Sequence, residues 1–177
     1  MLCQQPGIFT FHFHIFIWGD EMKINKKSLA ISVAVPLIVG AVSGLISADA
    51  TESFGSVNQP PLSPPGWLFP VVWTVLYILM GIASYLVYES DVSKKEKATA
   101  LAFYGAQLAF NFFWSILFFN FELYFFSFFW LIVMLALIIV TTVLFFGINK
   151  TSAYLMLPYI VWVIFAGYLN IGVALLN

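Results

Sequence analysis

"NQPPLSPPGWLFPVVW", Asn58–Trp73, changes character halfway. Four of its five prolines fall between Asn58 and Pro65. An apolar run without any charged residue then extends from Gly66 to Tyr88. A helix needs about 20 such residues to cross a hydrocarbon core of about 30 Å. Proline is tolerated in the first turn of a helix, so Pro65 and Gly66 mark where one can begin. The stretch reads as a stiff loop that feeds a membrane span.

Four more segments satisfy the same length rule: Ser28–Ala48, Ala98–Phe119, Leu123–Gly147 and Thr151–Leu175. None alternates polar and apolar residues as a barrel strand would. Of the 177 residues, 62% are apolar and only 8% charged, where a soluble domain carries about a quarter charged. The expected fold class is all-α integral membrane, a five-transmembrane-helix bundle. No repeat of 20–50 residues is visible, and five spans do not divide into a duplicated transporter.

Charge sets the expected orientation. All seven basic residues are lysines. Lys23, Lys26 and Lys27 precede the first span, Lys94, Lys95 and Lys97 lie between spans two and three, and Lys150 between four and five. With five spans these places share one side, and the opposite loops hold Asp49, Glu52 and Glu122. The positive-inside rule predicts a multi-pass cell-membrane protein, N-terminus cytoplasmic and C-terminus outside.

Residues 1–27 form an N-terminal lead-in, and 28–177 the single five-helix domain. Ile8–Trp18 is too short to span, and it lacks the basic n-region and cleavage site of a signal peptide. Met22, followed by "KINKKSLAISVAVPL", is the expected initiator, with 1–21 an extension. His12 and His14 flank Phe13 but have no third ligand nearby, so no metal site is expected. The single cysteine, Cys3, allows no intrachain disulfide. The lack of arginine and a net charge of −1 argue against a nucleic-acid partner.

Spans two to five hold no Asp, Glu, Lys, Arg or His at depth, which argues against pumps and against conventional acid–base or metal catalysis. Amides and indoles remain. Gln107, Asn111 and Ser115 recur every four residues on span three, with Trp114 beside Asn111. Trp73 and Tyr77 share a face of span two. Tyr159, Trp162, Ala166 and Asn170 recur along span five, which Pro158 can bend. At 1.5 Å rise per residue, Trp73 lies roughly 10 Å below the outer end of its span, and Asn170 about 8 Å below its own. Asn111 and Trp114 lie about 20–24 Å up span three. Converging faces would make an aromatic cavity beneath the proline loop.

Competing readings apply to each. Gln107 and Asn111 either line that cavity or serve as interhelical glue. Trp67 reads as an interfacial anchor, and Trp130 as packing or lipid-facing. Gly40 and Gly44 in "GAVSG" make a GxxxG, suited to close packing within the bundle or between protomers.

"PPLSPPGWLFPVVWTVLYILMG", "QLAFNFFWSILFF" and "LMLPYIVWVIFAGYLN" resemble the first loop with second helix, the third helix and the fifth helix of the translocator protein family. That family is also called tryptophan-rich sensory protein or peripheral-type benzodiazepine receptor. The resemblance covers roughly Ser28 to Asn177. It implies a five-helix bundle, a homodimer, and binding of porphyrins (protoporphyrin IX, haem) or similar hydrophobic small molecules, with no required cofactor. It also implies pocket residues Trp73, Tyr77, Asn111, Trp114, Trp162 and Ala166, with Pro64, Pro65 and Trp67 in a lid loop. Gln107 and Asn170 join them from the stripes above. Light-dependent porphyrin degradation, attributed to bacterial members, would make Trp73 and Trp162 photochemical candidates. Leu62 stands where many members have Trp. No basic residue follows Tyr168, so no specific sterol role is expected. A tetrapyrrole transport facilitator is the alternative.

Overall fold

The computed structural model describes residues 24–48 and 57–177. The expectations for residues 1–21, Met22 and the His12/His14 pair lie outside the described residues, as do Lys23, Asp49 and Glu52. Among the described residues there are five long helices, each long and apolar enough to cross a membrane.

Helix α1 is Lys26–Ile46, α2 Leu68–Glu89, α3 Lys94–Ser115, α4 Tyr124–Ile148 and α5 Lys150–Leu176. Their starts follow local chemistry. Asn25 caps α1 by accepting from the Ser28 N–H, and Asn149 caps α5 by accepting from Ser152. Ser93 and Glu96 form a reciprocal capping box at α3. That cap starts α3 four residues before the apolar segment, so its first turn carries the three lysines. The other end of α3 departs from the sequence reading: Ile116–Asn120 continues as a π-helical turn, with the Phe121 N–H reaching back five residues to the Ile116 carbonyl (3.1 Å).

Long-range contacts fix the arrangement. The Tyr85 hydroxyl at the end of α2 accepts from the Asn25 N–H (3.1 Å). At the opposite end, Ser47 Oγ beyond α1 donates to Asn120 Oδ1 (2.7 Å), and Asn170 Nδ2 near the end of α5 donates to Ser127 Oγ in α4 (3.2 Å). Successive helices therefore run antiparallel. Lys26, Lys27, Lys94, Lys95, Lys97 and Lys150 gather at one end, the proline loop at the other.

Helices α1 and α2 touch backbone to backbone at Gly81, where an added methyl would stand 2.5 Å from Val33 Cα. The expected GxxxG behaves differently. A methyl on Gly40 would run into the Tyr77 ring, whereas one on Gly44 meets nothing within 4 Å. The lysine-side half is filled by side chains with no exposed surface, among them Met80, Val87, Ile138, Phe145 and Met156. Rows of exposed apolar residues, such as Ile31, Val35, Ile38 and Val42 on α1, suit a lipid environment.

Candidate functional site

The loop that precedes α2 is tied to α5 at three levels. Asn58 and Asn177 exchange two hydrogen bonds, N–H to Oδ1 (3.2 Å) and Nδ2 to carbonyl (3.0 Å). Pro60 lies so close to Gly172 that an added methyl there would stand 2.6 Å from the proline ring. The Tyr168 hydroxyl donates to the Pro61 carbonyl (2.8 Å). A tight turn follows, closed by the Ser63 N–H and Oγ on the Pro60 carbonyl (3.3 and 2.8 Å). It holds Leu62 in the left-handed region at φ 67°, which glycine favours.

Two cavities lie at this end. The loop-side cavity, about 370 Å³, is walled by Pro64 and Pro65, the start of α2, Phe118 and Phe119 of the π turn, and Ala166 and Asn170 on α5. The α1-side cavity, about 630 Å³, lies between α1, α2 and α3 and includes Trp73, Tyr77 and Asn111. Phe69, Trp114 and Phe119 face both. Both volumes fall in the range of small-molecule sites, about 300–1,000 Å³. Among the described residues, their linings hold no Asp, Glu, Lys or His.

The sequence-predicted residues thus separate. Trp73, Tyr77 and Asn111 line the larger cavity, Pro64, Pro65, Ala166 and Asn170 the smaller, and Trp114 both. Gln107 and Trp162 line neither. Gln107 is 0% exposed and belongs to a hydrogen-bonded thread across three helices. The Tyr77 hydroxyl donates to Asn111 Oδ1 (2.7 Å), and Asn111 Nδ2 donates to the Tyr159 hydroxyl (3.2 Å). That hydroxyl donates to Gln107 Oε1 (2.9 Å), whose Nε2 lies 3.9 Å from Met80 Sδ. Gln107 is therefore glue, and Asn111 is both glue and cavity wall. Trp162 stands one layer back, edge-on to Phe69 with centroids 6.0 Å apart.

Trp73 anchors the aromatic wall. It stacks on Tyr77 at 5.6 Å, tilts against Trp114 at 6.4 Å and meets Tyr159 edge-on at 6.1 Å. Trp67 is 67% exposed beside the loop, as suits an interfacial anchor. Trp130 packs: it stacks on Phe110 at 4.3 Å and donates its indole N–H to the Phe110 carbonyl (2.9 Å).

Sequence reasoning missed Phe69, which faces both cavities, and the contribution of α1. Gly40, Ser43, Gly44 and Ser47 all line the α1-side cavity. They recur at three- and four-residue steps, so a stripe of small residues was the available signal. It named no chemistry, because small side chains leave room rather than make contacts. Tyr159 was visible on its stripe, but its place as the centre of the thread was not.

Comparison with known proteins agrees with this architecture. Residues 32–176 match the model of the TspO/MBR family. The "Tryptophan-rich protein TspO" of Archaeoglobus fulgidus is 34% identical over 155 residues, 87% of this chain and 99% of that relative. The "Tryptophan-rich sensory protein" of Cereibacter sphaeroides is 36% identical over 126 residues, 71% of this chain and 77% of its own. The "Translocator protein" of Bos taurus is 30% identical over 139 residues, 75% and 82% of the two chains. With five membrane-length helices and this match over most of its length, the chain is a multi-pass membrane protein that belongs to the TspO/MBR family.

Proposed function

We propose that this chain is a membrane receptor of the translocator type that binds porphyrins and similar flat hydrophobic ligands at the loop end of its bundle. The observation that carries the reading is the continuous aromatic wall of Trp73, Tyr77 and Trp114, which borders the α1-side cavity and, through Trp114, adjoins the smaller cavity under the proline-braced loop. Flat rings gain area and offset stacking on such faces. The ring of the ligand lies in the α1-side cavity against Trp73 and Trp114, and its edge reaches the loop-side cavity. The lysine-bearing end is cytoplasmic by the positive-inside rule, so the cavities open toward the outer leaflet. The homodimer implied by the family resemblance is part of the proposal, and molar mass in detergent by light scattering tests it.

Quenching of tryptophan fluorescence by protoporphyrin IX tests the binding. Saturable quenching, weakened in Trp73→Phe and Trp114→Phe, is expected. Linear, non-saturating quenching identical in all three proteins contradicts it.

A second reading, light-dependent porphyrin degradation, is favoured by the placement of two indoles in contact at that wall. Illumination of the porphyrin complex in air should give a new absorbing product, lost in Trp73→Phe and only reduced in Trp162→Phe, since Trp162 lies behind Phe69. The absence of any product in light removes this reading and leaves the receptor. Ligand flux into proteoliposomes identifies the remaining alternative, a transport facilitator.

A further inference from the structure

Helix α1 is joined to the bundle in two ways, and Pro36 divides them. On the lysine side the contact is backbone on backbone: a methyl on Gly81 would stand 2.5 Å from Val33 Cα and 2.9 Å from the Ser32 carbonyl oxygen. The Asn25 N–H also donates to the Tyr85 hydroxyl (3.1 Å). On the loop side α1 borders open volume. Leu37, Gly40, Gly44 and Ser47 line the α1-side cavity, while Ile38, Val42 and Leu45 on its other face are exposed. A single helix therefore stands between that cavity and the bilayer. Polar side chains hold it there. Ser47 Oγ donates to Asn120 Oδ1 (2.7 Å), and Asn120 Nδ2 donates to the Ile46 carbonyl (3.0 Å). Asn120 is the last residue of the π turn, so that turn supplies the clasp. Pro36 has no N–H for the Ser32 carbonyl, and the helical ladder lacks a bond where the two kinds of attachment meet. Such a position is where a helix bends.

We propose that the loop-side half of α1, Leu37–Ile46, is a side door of the α1-side cavity, pivoting at Pro36 and latched by Asn120. It admits flat amphiphiles already dissolved in the bilayer, rather than ligands arriving from water beneath the loop. The lysine-side half cannot swing without parting the Gly81–Val33 backbone contact. The loop-side half needs only to release side-chain hydrogen bonds and slide Gly40 off the Tyr77 ring. The way in under the loop is tied shut by Asn58 with Asn177, Pro60 against Gly172, and Tyr168 on the Pro61 carbonyl. This inference deepens the receptor reading and rests on the α1-side cavity being a ligand site.

Two variants outside both cavity linings push the door in opposite directions. Association and dissociation rates of protoporphyrin IX are read by stopped-flow tryptophan quenching, with the full chain in lipid nanodiscs. Asn120→Ala removes both clasp bonds and should raise the two rates together, by roughly three- to tenfold. Pro36→Ala restores the missing N–H and should lower the two rates together, by roughly threefold or more. Kd should stay within about twofold in each, because the door is closed both before and after binding. General loosening of the bundle would move both variants the same way, and that result overturns the inference. Rates in Asn120→Ala equal to those of the unaltered protein also overturn it, whatever Pro36→Ala does. If porphyrin binds with saturation while neither variant alters a rate, the door fails alone. If the unaltered protein shows no saturable binding, the receptor reading fails with it.

Discussion

The two halves of this bundle solve the same packing problem differently. At the lysine end, Met80, Val87, Ile138, Phe145 and Met156 fill the space between helices with no exposed surface. Connections there are short, with four residues between α2 and α3 and a single Asn149 between α4 and α5. At the loop end, aromatic side chains face two cavities, α3 relaxes into a π turn, and the α1–α2 connection is long. In the turns of α3 that precede the π turn, two backbone carbonyls take side-chain donors: the Trp130 indole N–H donates to Phe110 and Ser43 Oγ to Phe112 (3.4 Å). Between the halves runs the Tyr77–Asn111–Tyr159–Gln107 thread, a polar seam that joins α2, α3 and α5. The contrast teaches that stability is concentrated at one end, so that the other can keep open volume in a membrane, where close packing rather than the hydrophobic effect joins helices.

The largest effect should come from cutting the seam. Tyr159→Phe strands Asn111 Nδ2 and Gln107 Oε1, and each buried group left unpaired costs about 1–3 kcal/mol. A clear fall in thermal unfolding temperature in detergent is expected. An unchanged temperature would mean the thread holds nothing together.

Glycines sharpen the comparison next. Gly81→Ala puts a methyl 2.5 Å from Val33 Cα, at a backbone contact that cannot yield without moving a helix. Overpacking of this kind costs about 1–3 kcal/mol. Gly44→Ala, in the open half, meets nothing within 4 Å and should leave stability unchanged within about 0.5 kcal/mol. Equal destabilisation by both would erase the distinction between a filled and an open half.

The loop gives a third effect, on binding rather than on stability. Pro64→Gly with Pro65→Gly raises the freedom the roof must lose to close, by about 0.4–1 kcal/mol per residue. Porphyrin affinity should drop by roughly three- to thirtyfold, with helical content by circular dichroism unaltered. Unchanged affinity would reduce Asn58–Pro65 to a connector.

The smallest effect is at Leu62. Leu62→Gly removes a left-handed strain of about 1–2 kcal/mol but adds unfolded-state freedom worth about 0.5–1 kcal/mol. Slightly greater protection of the residue-62 and Ser63 amides from hydrogen exchange is the expected readout. A loss of protection would show that the Leu62 side chain, not the turn, holds the loop.

Much of this is legible in the sequence. Span number and ends could be read because charge is costly in a bilayer, so lysines punctuate the chain at every turn on one side. The stripe of Gln107, Asn111 and Trp114 could be read because helical spacing fixes which residues share a face. Roles along that stripe could not, because Gln107 turns from candidate ligand contact to glue only when Tyr159, 52 residues on, reaches it. Trp162 shows the same limit: its spacing put it on the cavity side of α5, but Phe69, from another helix, fills the layer between. The α1 wall was hidden for the opposite reason, since Gly40 and Gly44 shape a cavity by what they lack.

The most direct test of the central claim is the affinity of Gly44→Phe for protoporphyrin IX. Gly44 borders the α1-side cavity, and a side chain there has open space before it. The bulky ring should fill the volume facing Trp73 and Trp114, leave the unfolding temperature near that of the unaltered protein, and abolish saturable quenching. Full-strength porphyrin binding by a stably folded Gly44→Phe protein would contradict a ligand site on that aromatic wall.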